Sequence, residues 1–364
     1  MGLRTDAGEA GHDPLAVRVA GWGEKRVPAA GLSPQTEGRT PLTLPRGSAR
    51  WGHDVGMDYL RMGCLGAAKI APAALIKPAR ASGQVEVRAV AARDRTRAEE
   101  FASKHGVPVV RGSYDELVAD PEVDAIYNPL PNSLHAKWTL RAIEAGKHVL
   151  CEKPFTANAG EAERVAAAAD RSGLVVMEAF HWRYHPLATR MVDIVRSGEL
   201  GAVQHIESSF CFPLLSRKDI RWQLNLAGGA LMDAGCYAIH IVRTLAAAEP
   251  RVKAARAKLR SPGVDRLMQA ELDFPDGRTG RVTASMWSSK VLKMSATVVG
   301  EDATMRVFNP LAPHLFHRLT VKGKGGTRHE RIAIDIASLD SANIASGISQ
   351  ALAALADRIV AGLS

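Results

Sequence analysis

Between residues 59 and 180, short apolar runs alternate with amphipathic stretches across links of only a few residues. No other feature constrains the fold as strongly. Strands joined through helices by short links pair in parallel, with helices on both faces of the sheet. The pattern predicts strands over 59–65, 85–91, 107–110, 123–127, 149–151 and 174–180. Helices are expected between them, up to Ser82 and then over 96–105, 114–119, 134–145 and 161–172. After residue 180 the rhythm changes. Eight further strands are predicted over 203–212, 254–259, 266–274, 279–287, 293–300, 303–308, 318–321 and 330–334. Helices at 187–197 and about 230–247 lie among them. Asp276-Gly277 is a hairpin signal, and the basic run 322–326 reads as a solvated hairpin tip. Strands linked this way form a large, mostly antiparallel sheet with one face to cover.

The fold class is therefore α/β, an N-terminal Rossmann domain with a parallel sheet and a C-terminal α/β domain with a large, mostly antiparallel open sheet. We divide the 364 residues into a disordered or extended segment (1–56), a dinucleotide-binding domain (57–180), a substrate and dimerisation domain (181–338) and a C-terminal helix (339–364). Residues 1–56 are rich in Gly, Pro, Arg and Thr, without a sustained period or the apolar core of a secretory signal.

Composition removes several function classes. No run of about 18 apolar residues exists, so no membrane span is expected. The net charge of +9 gathers on no predicted face, so no nucleic-acid partner follows. Cys64, Cys151, Cys211 and Cys236 are far apart with no CxxC pair. That spacing argues against a metal site and fits free thiols in the cytoplasm.

Ligands of open α/β sheets bind outside the carboxyl ends of the strands. The strand at 149–151 delivers Glu152, Lys153 and Pro154 to that edge. The first strand runs into Gly66-Ala67-Ala68-Lys69-Ile70-Ala71, which sets Gly66, Ala68 and Ala71 on the dinucleotide fingerprint. Such a turn brings phosphates to backbone N–H groups at a helix start. With Ala for the second Gly, a plain tight turn is an equal reading. The second strand ends in Ala92-Arg93-Asp94. The Arg93 fork suits a 2′-phosphate, which favours NADP, although NAD is possible. Asp94 is equally placed to cap the next helix. Asn128, Pro129, Asn132 and His135 follow the fourth strand as a rigid turn at the same edge. Trp182, Arg183 and Tyr184 crowd the predicted domain junction, where ligand sites are frequent. A packed hinge explains the aromatics equally well. On the helix from Ala230, Asp233 and Tyr237 are four apart and share a face, with His240 on the same side. Arg221 and Trp222 precede that helix.

Four stretches together carry a resemblance: Gly63 to Ala68, Cys151-Glu152-Lys153-Pro154, Glu178 to Pro186, and Gly228 to Tyr237. In this order they resemble the glucose–fructose oxidoreductase / inositol dehydrogenase (Gfo/Idh/MocA) family over residues 57–364. They look closest to the NADP-using branch, which has Tyr where inositol dehydrogenase has His. The resemblance implies dimerisation through the open sheet, as a homodimer or homotetramer. It implies a frequently cis Lys153–Pro154 bond and contact of Lys153 with the nicotinamide ribose and the substrate hydroxyl. It also implies that Asp233 and Tyr237 stand in the substrate pocket.

Oxidising a secondary alcohol needs a hydride acceptor and a base for the hydroxyl proton. A free phenol, pKa ~10, is a weak base at neutral pH, and a nearby ammonium lowers it. Lys153 and Tyr237 supply that pair, with Asp233 expected to orient substrate hydroxyls and His240 as a partner or substitute acid. The expected substrate is a sugar, polyol or cyclic diol, walled by Trp182, Arg183, Tyr184, Arg221 and Trp222. A non-catalytic NADP-binding regulator or scaffold of the same fold is the alternative, against which the trio Lys153, Asp233 and Tyr237 argues. A cofactor that stays bound and is recycled is a third outcome.

Overall fold

The computed structural model describes residues 59–287, 292–332 and Leu355. The segment expected at 1–56 and, apart from Leu355, the helix expected at 339–364 lie outside the described residues. Strands β1 (Leu60–Leu65), β2 (Val85–Ala91), β3 (Val109–Val110), β4 (Ala125–Asn128), β5 (His148–Cys151) and β6 (Val176–Glu178) form one sheet in the order β3-β2-β1-β4-β5-β6. Every pairing in it is parallel. The apolar side chains of β1 and β4 are buried on both faces of the sheet, as expected where helices cover both sides. Those helices are α1 (Lys77–Ser82), α2 (Arg95–His105), α3 (Tyr114–Val118), α4 (Asn132–Glu144) and α5 (Ala159–Ser172). The strand order reverses between β1 and β4, which opens a crevice at their carboxyl ends.

Helix boundaries follow their caps. The Asp94 side chain accepts from Arg97 N at 3.2 Å and starts α2. Asn158 accepts from Glu161 N at 3.0 Å, so α5 begins two residues before the apolar period suggests. A side-chain acceptor at the N-cap satisfies an amide that the helix leaves open.

Helix α6 (Pro186–Arg196) leads into the second sheet. Its strands are β7 (Val203–Cys211), β8 (Arg251–Ser261), β9 (Val264–Asp273), β10 (Thr279–Ser285), β11 (Lys293–Gly300), β12 (Ala303–Phe308), β13 (Arg318–Gly323) and β14 (Gly326–Glu330). They lie in the order β14-β13-β12-β11-β7-β10-β9-β8. Among the described strands of this sheet only β7 and β10 pair in parallel. The last strand falls earlier than the expected 330–334. Gly323 pairs with Gly326, so the chain reverses at Lys324-Gly325 and the partner strand starts at once.

Helices α6 and α7 (Cys236–Ala246) cover one face. Met191 and Ile194 of α6 and Ile241 and Val242 of α7 meet Ile206, Val298 and Met305 of the sheet in one buried cluster. Edge strand β8 is exposed at every position, including Val252 and Leu259. Ile206, fully buried at the centre of that cluster, tests the packing. Ile206→Ala is expected to cost ~2–5 kcal/mol, read as a lower urea midpoint at unchanged m-value.

Candidate active site

Lys153 leaves the carboxyl end of β5, and its bond to Pro154 is cis, as the resemblance implies. The ammonium reaches across to the start of α7. There Lys153 Nζ donates to the Asp233 carboxylate at 2.9 Å and to the Asp233 carbonyl at 3.0 Å. The same Nζ lies over the Tyr237 ring, 4.9 Å from its centroid. Asp233 sits in a π turn, Leu231–Gly235, that precedes α7. Such wide turns recur at functional sites because they re-aim side chains. Here the turn points Asp233 and Tyr237 at one ammonium.

The other Asp233 oxygen takes Arg221 Nε at 3.0 Å. Arg221 also pairs with Asp219 at 3.3 Å. The loop carrying Arg221 closes on itself: Gly229 N donates to the Arg221 carbonyl at 2.9 Å. A Cβ on Gly228 would collide with that carbonyl, so the turn needs glycine. Both carboxylate oxygens of Asp233 are therefore engaged by cations. Its first task is to hold Lys153, rather than the substrate hydroxyls for which the sequence suggested it.

Burial alone would lower the Lys153 ammonium, but Asp233 and Tyr237 override it and hold the pKa above its ordinary value. Burial alone would raise Asp233, but Lys153 and Arg221 keep it below the usual carboxylate range. For Tyr237 burial wins: the phenol is pushed well up, and Lys153 pulls only part of it back. The expectation of a net lowered phenol is thus corrected. The ring sits against Phe180 and Phe210 and is 7% exposed, so the desolvation of its anion outweighs the nearby cation.

Sequence reasoning missed His181. Its Nε2 donates to the Leu311 carbonyl at 2.9 Å, and its Nδ1 faces the Tyr237 hydroxyl at 3.4 Å. It lies in the aromatic stretch singled out at the junction, but neither tyrosine nor carbonyl is near it in sequence.

Other predicted residues have structural roles. Trp182 is 1% exposed and belongs to the core rather than to a pocket wall. Trp222 is buried beside Ala230, Val264 and Met286, its Nε1 donating to the Ser216 carbonyl at 3.0 Å. Arg260 stacks on it from the β8–β9 hairpin, 4.4 Å from its ring centroid, so Trp222 supports the Arg221 loop. His240 stacks on Phe180 at 4.1 Å and meets Trp182 edge to face at 5.4 Å, so it packs among the aromatics of the junction. The Tyr184 hydroxyl donates to Met177 Sδ at 3.1 Å, and Arg183 is partly exposed at the same junction.

The cofactor candidates divide in the same way. His135 is fully buried, its ring nitrogens 2.7 Å from the Pro154 and Leu130 carbonyls. Asn128 is buried and donates to the His135 carbonyl at 3.1 Å. Together they brace the cis turn. Glu152 accepts from the Tyr127 hydroxyl at 2.7 Å. Asn132 donates to the Ala227 carbonyl at 2.9 Å, tying α4 to the loop before Asp233. The edge itself is shaped for a dinucleotide. Gly66 has φ +86°, a left-handed turn between β1 and the following helix, and a Cβ there would press on Leu130. Lys69 and Ile70 are exposed beyond it, Ala68 and Pro129 partly so, and Arg93 is exposed at the end of β2. Among the described residues no group of His, Cys, Asp or Glu could hold a metal ion, and none of their helices is long and apolar enough to cross a membrane.

A Rossmann sheet whose cationic edge carries a lysine, set against a tyrosine on helix α7, defines a nicotinamide-dependent oxidoreductase. Residues 60–180 match the model of the oxidoreductase family with the NAD-binding Rossmann fold, and 188–306 match the Gfo/Idh/MocA C-terminal domain. The chain belongs to the Gfo/Idh/MocA oxidoreductase family. It is 43% identical to a D-xylose 1-dehydrogenase (NADP(+)) of Haloferax volcanii, over 62% of this chain and 69% of the relative. It is 34% identical to the trans-1,2-dihydrobenzene-1,2-diol dehydrogenase of Mus musculus, over 64% and 69%. Its fold is similar to that of a 3-ketoreductase from Actinomadura kijaniata in complex with NADP and TDP-benzene. That match has TM-score 0.75 and 28% identity, and it covers 84% of this chain and 90% of the other.

Burial holds the imidazoles of His181 and His185 down at about 4 and that of His240 at about 3. Below their ordinary 6.5 the unfolded chain binds protons that the folded chain refuses, so stability falls with pH. Glu178, pushed up to about 7 by burial, acts in the opposite sense, as do Glu152 and Asp265, but burial lowers His135 and His148 as well and the histidines outnumber the carboxyls. The urea midpoint is expected to drop as pH falls from 6.5 towards 4.5; a flat or rising midpoint would contradict the burial of these rings.

Proposed function

We propose that Lys153, Tyr237 and Asp233 are the working groups of an NADP-dependent oxidoreductase acting on a CH–OH group of a sugar, polyol or cyclic diol. The observation that carries this reading is the Lys153 ammonium, held by Asp233 and set against the Tyr237 ring. Bound NADP supplies the hydride acceptor, or as NADPH the donor. Gly66, Ala68, Lys69 and Ile70 are suited to its phosphates, and Arg93 to the 2′-phosphate. Lys153 orients the substrate oxygen and offsets negative charge as its proton leaves. Tyr237 takes that proton in oxidation and returns it in reduction. Asp233 keeps Lys153 charged and fixed.

Names of relatives support the substrate class: a xylose dehydrogenase, a dihydrodiol dehydrogenase and a 3-ketoreductase. A pure binding protein has no use for a buried ammonium beside a phenol, so the non-catalytic reading is set aside. Release of NADPH into solution separates net dehydrogenation from a recycled cofactor. A cytoplasmic homo-oligomer joined through the open sheet completes the proposal.

Tyr237→Phe and Lys153→Met are each expected to lower turnover ~10²–10⁴-fold on a panel of aldoses and cyclic diols. Fluorescence titration with NADPH should still give near-normal affinity. Near-normal turnover in both variants would remove the mechanism. Asp233→Asn tests the third role. Without its carboxylate the buried ammonium gives up its proton more readily, so the alkaline limb of the rate profile should move to lower pH. A limb that stays in place would show that Asp233 does not hold the charge.

A further inference from the structure

The Tyr237 hydroxyl has a neighbour to which the mechanism gives no task. His181 lies in a short turn, His181–Tyr184, directly after β6. Its Nε2 is 2.9 Å from the Leu311 carbonyl. A carbonyl only accepts, so Nε2 carries the hydrogen. In a neutral ring Nδ1 is then a bare lone pair. The Tyr237 hydroxyl, 3.4 Å away, must donate to it. The two rings meet edge to face, 5.8 Å between centroids. The tautomer is thus fixed by a loop of the second sheet, and the phenol proton is aimed away from Lys153.

We propose that His181 is a positioning residue that receives the Tyr237 proton when the enzyme oxidises an alcohol. The inference rests on Tyr237 being the group that takes the substrate proton. As the alcohol O–H breaks, its proton forms a new O–H bond on Tyr237 Oη. The original Tyr237 proton moves to His181 Nδ1, giving an imidazolium whose Nε2–H stays on the Leu311 carbonyl. The alcohol carbon loses its electron pair as hydride, for which a nicotinamide bound as in the proposed function would be the acceptor. In reduction each proton retraces its path. His181 is partly exposed, and the proton it gains rests on Nδ1 until it is given up.

The surroundings fit a transient acceptor. Lys153, Asp233, Glu152 and Cys236 act on Tyr237, while Lys153 and His314 act on His181 and His185 lies near it. Burial, helped by these cations, keeps His181 at about 4. Nδ1 is therefore unprotonated at neutral pH, and a proton it acquires is shed readily. Tyr237 is pushed up by the same burial and is a poor base without an acceptor behind it.

The test compares His181→Gln with His181→Phe. A glutamine amide retains one donor and one acceptor but takes no proton; phenylalanine keeps only the bulk. Both variants should lose ~10–100-fold in oxidative kcat at pH 7, with KM nearly unchanged and the deficit shrinking as pH rises. Wild-type kcat and pH profile in His181→Gln would reduce His181 to a structural support and overturn the proposal. Tyr237→Phe and Lys153→Met run in parallel separate the two readings. If they too keep turnover, the dehydrogenase site fails; if they alone lose it, only the role of His181 fails. A readout independent of turnover is ¹⁵N NMR of the histidine rings. His181 Nδ1 should appear unprotonated, and its resonance should move in Tyr237→Phe. A proton on Nδ1 at neutral pH, or a resonance indifferent to Tyr237, overturns the inference even if no sugar or diol of the panel is oxidised.

Discussion

A largely buried ammonium, its side chain 16% exposed, is the constraint around which the molecule is arranged. Lys153 stands at the end of a parallel strand, and taking its charge out of water is costly unless a partner meets it in good geometry. Asp233 meets it with a side-chain oxygen and with its own carbonyl. Because Lys153 follows a strand of the first sheet and Asp233 sits in the π turn before α7, the pair fixes the Rossmann edge against the start of α7. Buried pairs of this kind add little net stability but are costly to break, since one partner then remains as an uncompensated charge. The pair therefore acts chiefly as a geometric specification.

The supporting shell follows from that specification. Arg221 neutralises the second Asp233 oxygen, Trp222 anchors the Arg221 loop, and Arg260 stacks on Trp222 from the β8–β9 hairpin. On the other side, Asn128 and His135 brace the turn after Lys153, and Glu178 accepts from Phe155 N at 2.8 Å just beyond the cis bond. Two cations share one carboxylate at the site. Arg221 also pairs with Asp219, so the two cations are met by two carboxylates.

Much of this was legible in the chain itself. The alternation after Tyr59 specified a parallel sheet because buried strands must be apolar on both faces. Asp276-Gly277 and the later period-two runs specified the second sheet. Lys153, Asp233 and Tyr237 were found because spacing along a strand end and a helix survives folding. The partners of those residues were not legible. Trp182, Trp222 and His135 looked like ligand contacts because their chemistry allows it, but burial decided otherwise. His181 escaped notice because its two partners, Tyr237 and the Leu311 carbonyl, lie 56 and 130 positions away. His240 looked like part of the site because it shares a helix with Tyr237, but its ring packs on Phe180 and Trp182, which are distant in sequence.

The π turn also explains how one short segment serves two purposes. A regular helix would spend the Asp233 carbonyl on its own ladder at normal spacing and set Asp233 and Tyr237 side by side along the surface. The widened turn turns that carbonyl and the carboxylate together towards Lys153, while Tyr237 stays one turn below, ring against the ammonium. The phenol is left buried and neutral, its proton directed at a second ring rather than at Lys153. The ammonium therefore does not need to ionise the tyrosine in the resting enzyme. In the proposed reaction its charge would act when a substrate oxygen begins to lose its proton, which is when stabilisation lowers a barrier rather than a ground state.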